Sequence, residues 1–347
     1  MQLSIDDFFQ LREKQPVVDV RSQGEFAAGH IPGAINIPLL TDQERVIVGT
    51  AFKHRGQRVA IKEGFRLVGP RLEAMISESE KVAGGNELLV HCWRGGMRSE
   101  NFCQYMQMAG IKSQALGGGY KSYRHAALDS FRLPLQLILL AGCTGSGKSE
   151  VLRALMAKGE QVLDLEALAS HKGSAFGGLL LPPQPTTEQF QNDMFEALLK
   201  FDPSRRVWVE DESIAIGKIF LPADFWVQMS QGPIIQMEVS KEIRTKRLVD
   251  EYGPADRQEF LLLMTKVTKK LGGQNFQLAK EKLLNGDMAS TIDILLTYYD
   301  KAYLESMIRR QDRIGFRVSW KGINVNQFAD ELISKLHVHE SMNETKI

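Results

Sequence analysis

Short apolar runs alternate with amphipathic stretches through the first ~130 residues. Pro16-Val-Val-Asp-Val20 and Glu87-Leu-Leu-Val-His91 read as buried strands, and Ile31-Pro-Gly-Ala-Ile-Asn-Ile-Pro38 reads as a turn, a short strand and a stop at proline. Met97 to Ala109 reads as a helix with Phe102, Met106 and Ala109 on one face and Gly110 as its stop. The alternation restarts at the strand-like run Leu135 to Ala141, continues through a helix at Glu150–Lys158 and the strand Arg206-Val-Trp-Val-Glu210, and becomes mostly helical beyond Lys241. Strands alternating with helices predict α/β layers with largely parallel sheets. The pattern divides the chain near Leu128–Gln136, into a domain at 1–132, a second α/β domain at 133–338 with a helical, partly basic C-terminal part, and a disordered tail at 339–347. Apart from the loop around Gly173 to Pro185, no low-complexity linker interrupts this, and no repeat is present.

Composition sharpens the picture. Among 347 residues, 43% are apolar and 24% charged, which excludes a disordered or fibrous chain. Lys+Arg is 43 and Asp+Glu 42, so any nucleic-acid-binding face must be local. No apolar run reaches the ~20 residues that span a bilayer, and the N-terminus lacks a secretory pattern. Three cysteines without a CxxC pair argue against a disulfide framework or a cysteine zinc site. Together these predict a reduced, cytoplasmic protein that does not engage a membrane.

Two loops carry candidate chemistry. The first is Cys92-Trp-Arg-Gly-Gly-Met-Arg98, running from a strand end into a helix. Converging backbone amides and the helix dipole stabilise a thiolate at such a place. The glycines let the amides curl inward as an anion nest. Arg94 and Arg98 can hold a tetrahedral oxyanion. Trp93 can stack on a base or wall the pocket; Cys103, in mid-helix, reads as core. The second loop is Gly142-Cys-Thr-Gly-Ser-Gly-Lys-Ser149, a G-x4-G-K-S pattern between strand and helix. Its amides, with Gly142, Gly145, Ser146 and Gly147 shaping the turn, wrap a phosphate chain, while Lys148 adds a point charge and Ser149 can ligate Mg2+. Cys143 is a small loop residue there. Val207-Trp-Val-Glu-Asp-Glu-Ser213 offers Glu210 or Asp211 as the Mg2+-orienting or general-base carboxylate. The Gly/Pro-rich stretch containing His171 and Ser174 reads as a substrate loop over the phosphate site. No adenine pocket is recognisable, so whether a nucleotide binds stays open.

Basic residues recur beyond Lys241: Arg244 and Arg247 with Lys241 and Lys246, Lys269 and Lys270 with Lys266, then Lys280 and Lys282, and Arg309, Arg310 and Arg313. Such stripes can follow an RNA backbone, with Tyr298, Tyr299 and Tyr303 as stacking surfaces, or form solvated helix faces and core.

Asp19-Val-Arg-Ser-Gln-Gly-Glu-Phe26, Gly29-His-Ile-Pro-Gly-Ala-Ile-Asn-Ile-Pro38 and Leu116-Gly-Gly-Gly-Tyr-Lys-Ser-Tyr-Arg124 resemble the rhodanese domain, in which the loop cysteine carries sulfur as a persulfide. Asp19, Arg21 and His30 match structural positions of that pattern, Arg21 with some prospect of touching substrate. The loop departs from sulfur-transfer rhodaneses in having five residues, not four, between cysteine and arginine. This also satisfies the cysteine-phosphatase spacing and makes a cradle suited to a larger tetrahedral group. The order of the two loops, with the His171–Gly177 and Val209–Ser213 segments, resembles the bacterial tRNA 2-selenouridine synthase family.

That resemblance implies an enzyme that acts on wobble 2-thiouridine in the anticodon of certain tRNAs. It alkylates the sulfur with geranyl diphosphate and then exchanges the geranylthio group for selenium from selenophosphate, which makes a selenophosphate-producing enzyme a partner. Cys92 matches the family's essential cysteine and 142–149 its P-loop. A Cys92 perselenide formed at the first loop, and diphosphate held by the second, would divide the two steps. Two rivals remain at this level: a Cys-x5-Arg phosphatase with a nucleotide-binding domain, and a non-catalytic nucleotide-binding scaffold.

Overall fold

A computed structural model of the protein describes residues 2–344. The chain partitions into two compact units, Met1–Ser130 with Gln191–Glu196, and Phe131–Phe190 with Ala197–Ile347.

The first unit is built on a parallel sheet of β1 (Val17–Asp19), β2 (Ile35–Asn36), β3 (Leu88–His91) and β4 (Ser113–Ala115), in the order β2-β1-β3-β4. β1 and β3 are buried on both faces, as their unbroken apolar runs require. Residues 191–196, which a division at 132/133 assigns to the second domain, pack here for a chemical reason. Arg12 makes paired bonds of 2.7 Å to Glu196, the Tyr123 hydroxyl donates to the same carboxylate at 2.7 Å, and Asn192 donates to the His30 carbonyl and the Tyr120 hydroxyl, both at 2.8 Å.

The second unit carries a five-stranded sheet: β5 (Leu137–Gly142), β6 (Gln161–Leu163), β7 (Val207–Glu210), β10 (Ile234–Glu238) and β11 (Ile314–Ser319), ordered β11-β10-β5-β7-β6 and parallel throughout. A separate two-stranded hairpin joins β8 (Ala215–Ile216) to β9 (Ile219–Phe220). Helices Lys148–Ala157 and Val325–Glu344 cover one face of the sheet, where Trp208, Leu152, Phe328 and Leu332 form its core. A second apolar cluster joins the C-terminal helices through Phe260, Met264, Leu283 and Leu296.

The helical reading beyond Lys241 misses β11, an edge strand whose side chains alternate between partly buried and exposed. The helix Val325–Glu344 continues through 339–344, so the irregular tail expected from 339 is helical there; its last part, 345–347, lies outside the described residues. Among the described residues no helix is long and apolar enough to cross a membrane.

Candidate active site

β3 delivers Cys92 to the head of the helix Met97–Met108. The loop between them closes only because other backbone comes very near. A Cβ on Gly119 would lie 2.4 Å from the Cys92 carbonyl oxygen, and one on Gly95 (φ +64°) 2.5 Å from that of Leu116. Tyr120 N–H donates to the Cys92 carbonyl at 2.8 Å and Lys121 N–H to that of Trp93 at 2.9 Å. The glycine run 117–119 is therefore the floor on which the cysteine loop rests.

The Cys92 sulfur is 3% exposed and lies 3.3 Å from the buried Ser99 hydroxyl. Burial pushes its thiol up, but hydrogen bonds from the Ser99 hydroxyl and from the amides of Ser99, Arg94 and Gly96 outweigh it, and the net pKa lies below the ordinary cysteine value. Cys103 is the contrast: burial pushes its thiol up to about 11.

Arg98 does not stand free over the sulfur. It grips Glu25 with bonds of 2.7 and 3.2 Å. Glu25 is in turn fixed by the Ser22 capping box of the helix Gln23–Ala28. Glu25 was invisible to motif reasoning, although a capping Glu three residues after Ser22 is a readable local signal. Arg94 is exposed beside the loop.

Arg21 is fully buried. It forks onto Asp19 at 2.7–3.1 Å, donates to the Gly29 carbonyl at 2.6 Å, and lies 3.8 Å over the Tyr120 ring. This is a scaffold for the loop, out of a substrate's reach. His30 stacks on Phe26 with ring centres 3.9 Å apart and its Nδ1 is 3.0 Å from the Phe26 carbonyl, the packed role expected of it. Trp93 is half-exposed against Tyr120, with ring centres 5.7 Å apart.

In the second unit, β5 runs into the phosphate-type loop and the helix Lys148–Ala157. Gly145 (φ +80°) and Gly147 (φ +83°) make the turn. A Cβ on Gly142 would strike the Ser146 hydroxyl at 2.5 Å. That hydroxyl is buried without a partner. A cavity of about 720 Å3 opens over the loop, lined by Lys148, Ser149, Glu166, Glu212 and Arg247 among others. Burial pulls the Lys148 amine down, but the charges of Glu166, Glu212, Glu210 and Asp211 more than restore it, so it stays a cation.

Of the two candidate carboxylates, Asp211 reaches the cavity and Glu210 does not. Glu210 is fully buried, accepts the Leu165 amide at 2.9 Å and does not line the cavity. Asp211 does line it but is neutralised by paired bonds of 2.6 and 2.8 Å from Arg310. Glu210 is the last residue of β7, and the irregular backbone that follows it carries Asp211 and Glu212 to the cavity. The acids beside the loop are Glu166, whose Oε2 accepts the Ser149 hydroxyl at 2.7 Å, and Glu212, pushed up to about 8 by burial and by Glu166. Ser149 and Glu166 provide hard oxygen donors of the kind Mg2+ takes. Among the described residues no cluster of three or more His, Cys, Asp or Glu side chains is placed to hold a metal alone. A Mg2+ there fits as one held by this pair, water and the ligand's phosphates.

Ser174 lines the same cavity. His171 does not; its ring packs against Gly177 and Gly217, while Lys172 and Gly173 beside it do line the cavity.

Two expected RNA contacts move as well. Arg244 is 4% exposed, bound to Asp300 at 2.7 and 2.8 Å and to the Thr144 carbonyl at 3.3 Å, a brace under the phosphate loop. Arg247 pairs with Glu150 and stacks on Trp320 at the cavity wall. Arg310 and Arg313 are partly buried and also paired, Arg310 with Asp211 at the cavity wall and Arg313 donating to the Met229 and Gly232 carbonyls. Lys269 and Lys270 are exposed. Tyr299 and Tyr303 line the cavity, and Tyr298 packs on Tyr299 with ring centres 4.9 Å apart.

A family model for the tRNA 2-selenouridine synthase AAA domain matches residues 135–334, and one for the rhodanese-like domain matches 4–126. The chain is 32% identical to a tRNA 2-selenouridine synthase of Nitrosomonas europaea, over 89% of this chain and 93% of that protein. It is 33% identical to the protein of that name from Bdellovibrio bacteriovorus (87% and 91%) and to that from Salmonella arizonae (89% and 94%). With the P-loop unit matched over its sheet and the rhodanese-like unit over its cysteine loop, the chain belongs to the tRNA 2-selenouridine synthase family.

Proposed function

We propose that the protein is a selenium transferase that converts wobble 2-thiouridine of tRNA to 2-selenouridine by way of S-geranyl-2-thiouridine, with geranyl diphosphate and selenophosphate as co-substrates. The relatives' names support the coarse reaction. The observation that carries the chemical reading is a cysteine loop that stabilises a thiolate on the same chain as a cationic diphosphate-type cradle.

In the first step the thiocarbonyl sulfur attacks C1 of geranyl diphosphate. A C–S bond forms, the C–O bond breaks, and pyrophosphate leaves with the electron pair while N3 of the base gives up its proton. Lys148 and the loop amides hold the leaving pyrophosphate. A bound Mg2+ supplies further charge neutralisation there.

In the second step the selenium of selenophosphate attacks C2 and geranylthiolate departs with its pair, leaving a C2–Se–phosphoryl group. The Cys92 thiolate then attacks phosphorus. The P–Se bond breaks with its electrons on selenium, 2-selenouridine is released, and water hydrolyses the phosphocysteine. This replaces the Cys92 perselenide suggested by the rhodanese resemblance. Selenium in selenophosphate is already at the selenide level, so S–Se bond formation would expel phosphorus as phosphite rather than phosphate. The five-residue spacing from Cys92 to Arg98 favours a phosphoryl group in the cradle, and the Arg98–Glu25 pair sets the guanidinium beside it.

The test is incubation with 2-thiouridine tRNA and both co-substrates, followed by nucleoside mass analysis. Cys92→Ser is expected to geranylate but to form no 2-selenouridine, accumulating the selenophosphoryl nucleoside. Lys148→Ala is expected to lose geranylation. Undiminished selenouridine formation by Cys92→Ser overturns the role of the cysteine, and undiminished geranylation by Lys148→Ala removes the P-loop from that step.

A further inference from the structure

An apolar cavity of the first unit has no place in the chemistry above. It measures about 390 Å3 and lies between the helices Asp42–Arg55 and Gln57–Val68 and the start of the helix that follows the cysteine loop. Val48, Phe52, Ile61, Phe65 and Tyr105 wall it, and Met97 and Arg98 belong both to it and to the Cys92–Arg98 loop. Phe52 is 58% exposed, Phe65 59% and Met97 47%, a concentration of bare apolar surface at one mouth. Gln57 and Asn101 also line it, and its two charged groups, Arg45 and Arg98, lie on the Glu25 side, where Arg45 Nε is 3.7 Å and Arg98 2.7 Å from that carboxylate.

Two glycines show that the space is kept open at a cost. Gly49 and Gly64 each lie inside one of the paired helices, where glycine destabilises by about 1 kcal/mol relative to alanine. Both line the cavity, and a Cβ at either would meet nothing within 4 Å. Neither has a positive φ and neither permits a close helix approach, so packing gives no reason for them. Larger side chains fit the helices and fill the cavity.

We infer that this cavity holds the geranyl chain of S-geranyl-2-thiouridine while the base lies at the Cys92 loop. This rests on the proposed reaction, because that substrate is the one with a branched aliphatic chain to bury next to the cysteine. An open apolar slot ending at a cationic rim suits a chain with a polar head, and it would retain the departing geranylthiolate beside the loop. The cavity therefore discriminates S-geranyl from short S-alkyl substrates.

The test is equilibrium binding of the S-geranyl-2-thiouridine and S-methyl-2-thiouridine nucleosides to the full chain by calorimetry, beside selenium incorporation into tRNA carrying each group. Burying the additional chain carbons is expected to make the geranyl nucleoside bind on the order of 100-fold tighter. Gly64→Leu, which fills the slot without burdening the helix, is expected to erase most of that preference with no loss in melting temperature. Phe65→Ser, at an exposed wall position, should reduce it in part. Equal binding of the two nucleosides by the unaltered protein overturns the inference, as does a preference that survives Gly64→Leu. A change of oligomeric state in Gly64→Leu would instead assign the slot to a helix of a second copy, and also overturns it. Preferential geranyl binding without selenium incorporation leaves the cavity assigned and refutes the reaction it serves. Selenium incorporation without preferential binding does the reverse.

Discussion

Ser99→Ala isolates the side-chain contact that favours the Cys92 thiolate. The serine is fully buried and its hydroxyl is 3.3 Å from the sulfur, so no water takes its place when it is removed. A hydrogen bond to a charged group is worth about 1.5–3 kcal/mol, and 1.36 kcal/mol corresponds to one pKa unit. The amides of Ser99, Arg94 and Gly96 remain in the variant. The Cys92 pKa is therefore expected to rise, and the effect to fall at the lower end of that range, about a tenfold change in thiolate fraction. Iodoacetamide alkylation followed across pH, with peptide mass mapping, reads this directly. Cys103 is pushed up to about 11 and Cys143 is also raised, both first of all by burial, so they stay thiols over the range in which Cys92 titrates. Below both midpoints the variant's thiolate fraction is about tenfold lower, but a more basic thiolate is about threefold more nucleophilic, so the net rate falls about threefold. Above both midpoints the sign reverses and the variant reacts about threefold faster. A crossing of the two pH–rate curves is the signature. An unshifted midpoint, or a uniform change at every pH, would show that Ser99 acts on access rather than on charge and refutes the reasoning.

Glu212 should govern the pH dependence of ligand binding at the P-loop. Its carboxyl is pushed up to about 8, so below that pH it is neutral, and above it a new negative charge enters the phosphate cavity. Pyrophosphate affinity by calorimetry should fall as pH rises through about 8, and Glu212→Gln should flatten that fall. Gly119→Ala should disrupt the cysteine loop, because its Cβ would sit 2.4 Å from the Cys92 carbonyl at a φ of +58°. A loss of several kcal/mol by denaturant titration is expected, and a loss under ~1 kcal/mol would mean the glycine floor is not required. Arg244→Gln should cost roughly 2 kcal/mol of stability, discounted because Asp300 is partly exposed. Lys269→Ala with Lys270→Ala should leave the melting temperature unchanged and reduce the salt dependence of tRNA binding; an unchanged salt slope removes these lysines from the RNA face.

What the chain discloses before folding follows from how local each signal is. The strand–Cys–Gly-Gly–Arg–helix string and G-x4-G-K-S are contiguous, and their function depends on backbone amides that the motif itself orders, so Cys92, Lys148 and Ser149 were legible. The partners that tune them were not, because each arrives from another element. Glu25 reaches Arg98 from the helix after β1, and Glu166 reaches Ser149 from beyond β6. The acid run 210–212 was recognised as acidic but could not be resolved. Which side chain faces the loop depends on where β7 ends: Glu210, its last residue, is buried, and the irregular backbone after it brings both Asp211 and Glu212 to the cavity.

The basic stripes failed for a related reason. Composition counts charges but not their partners. Arg244 and Arg310 each had an acid, Asp300 and Asp211, waiting tens of residues away to pair with it, which makes Arg244 a buried brace and holds Arg310 at the cavity wall. The same logic marks what remains informative on the surface. Lys269 and Lys270 precede Gly272 on a short helix, with Lys270 Nζ 5.8 Å above Tyr298. A phosphate backbone would meet these two lysines as point charges, so this is where the polyanion's contribution should be sought. Arg244, by contrast, has its planar fork already spent on Asp300 and the Thr144 carbonyl, and an RNA could recruit it only by breaking bonds that brace the phosphate loop.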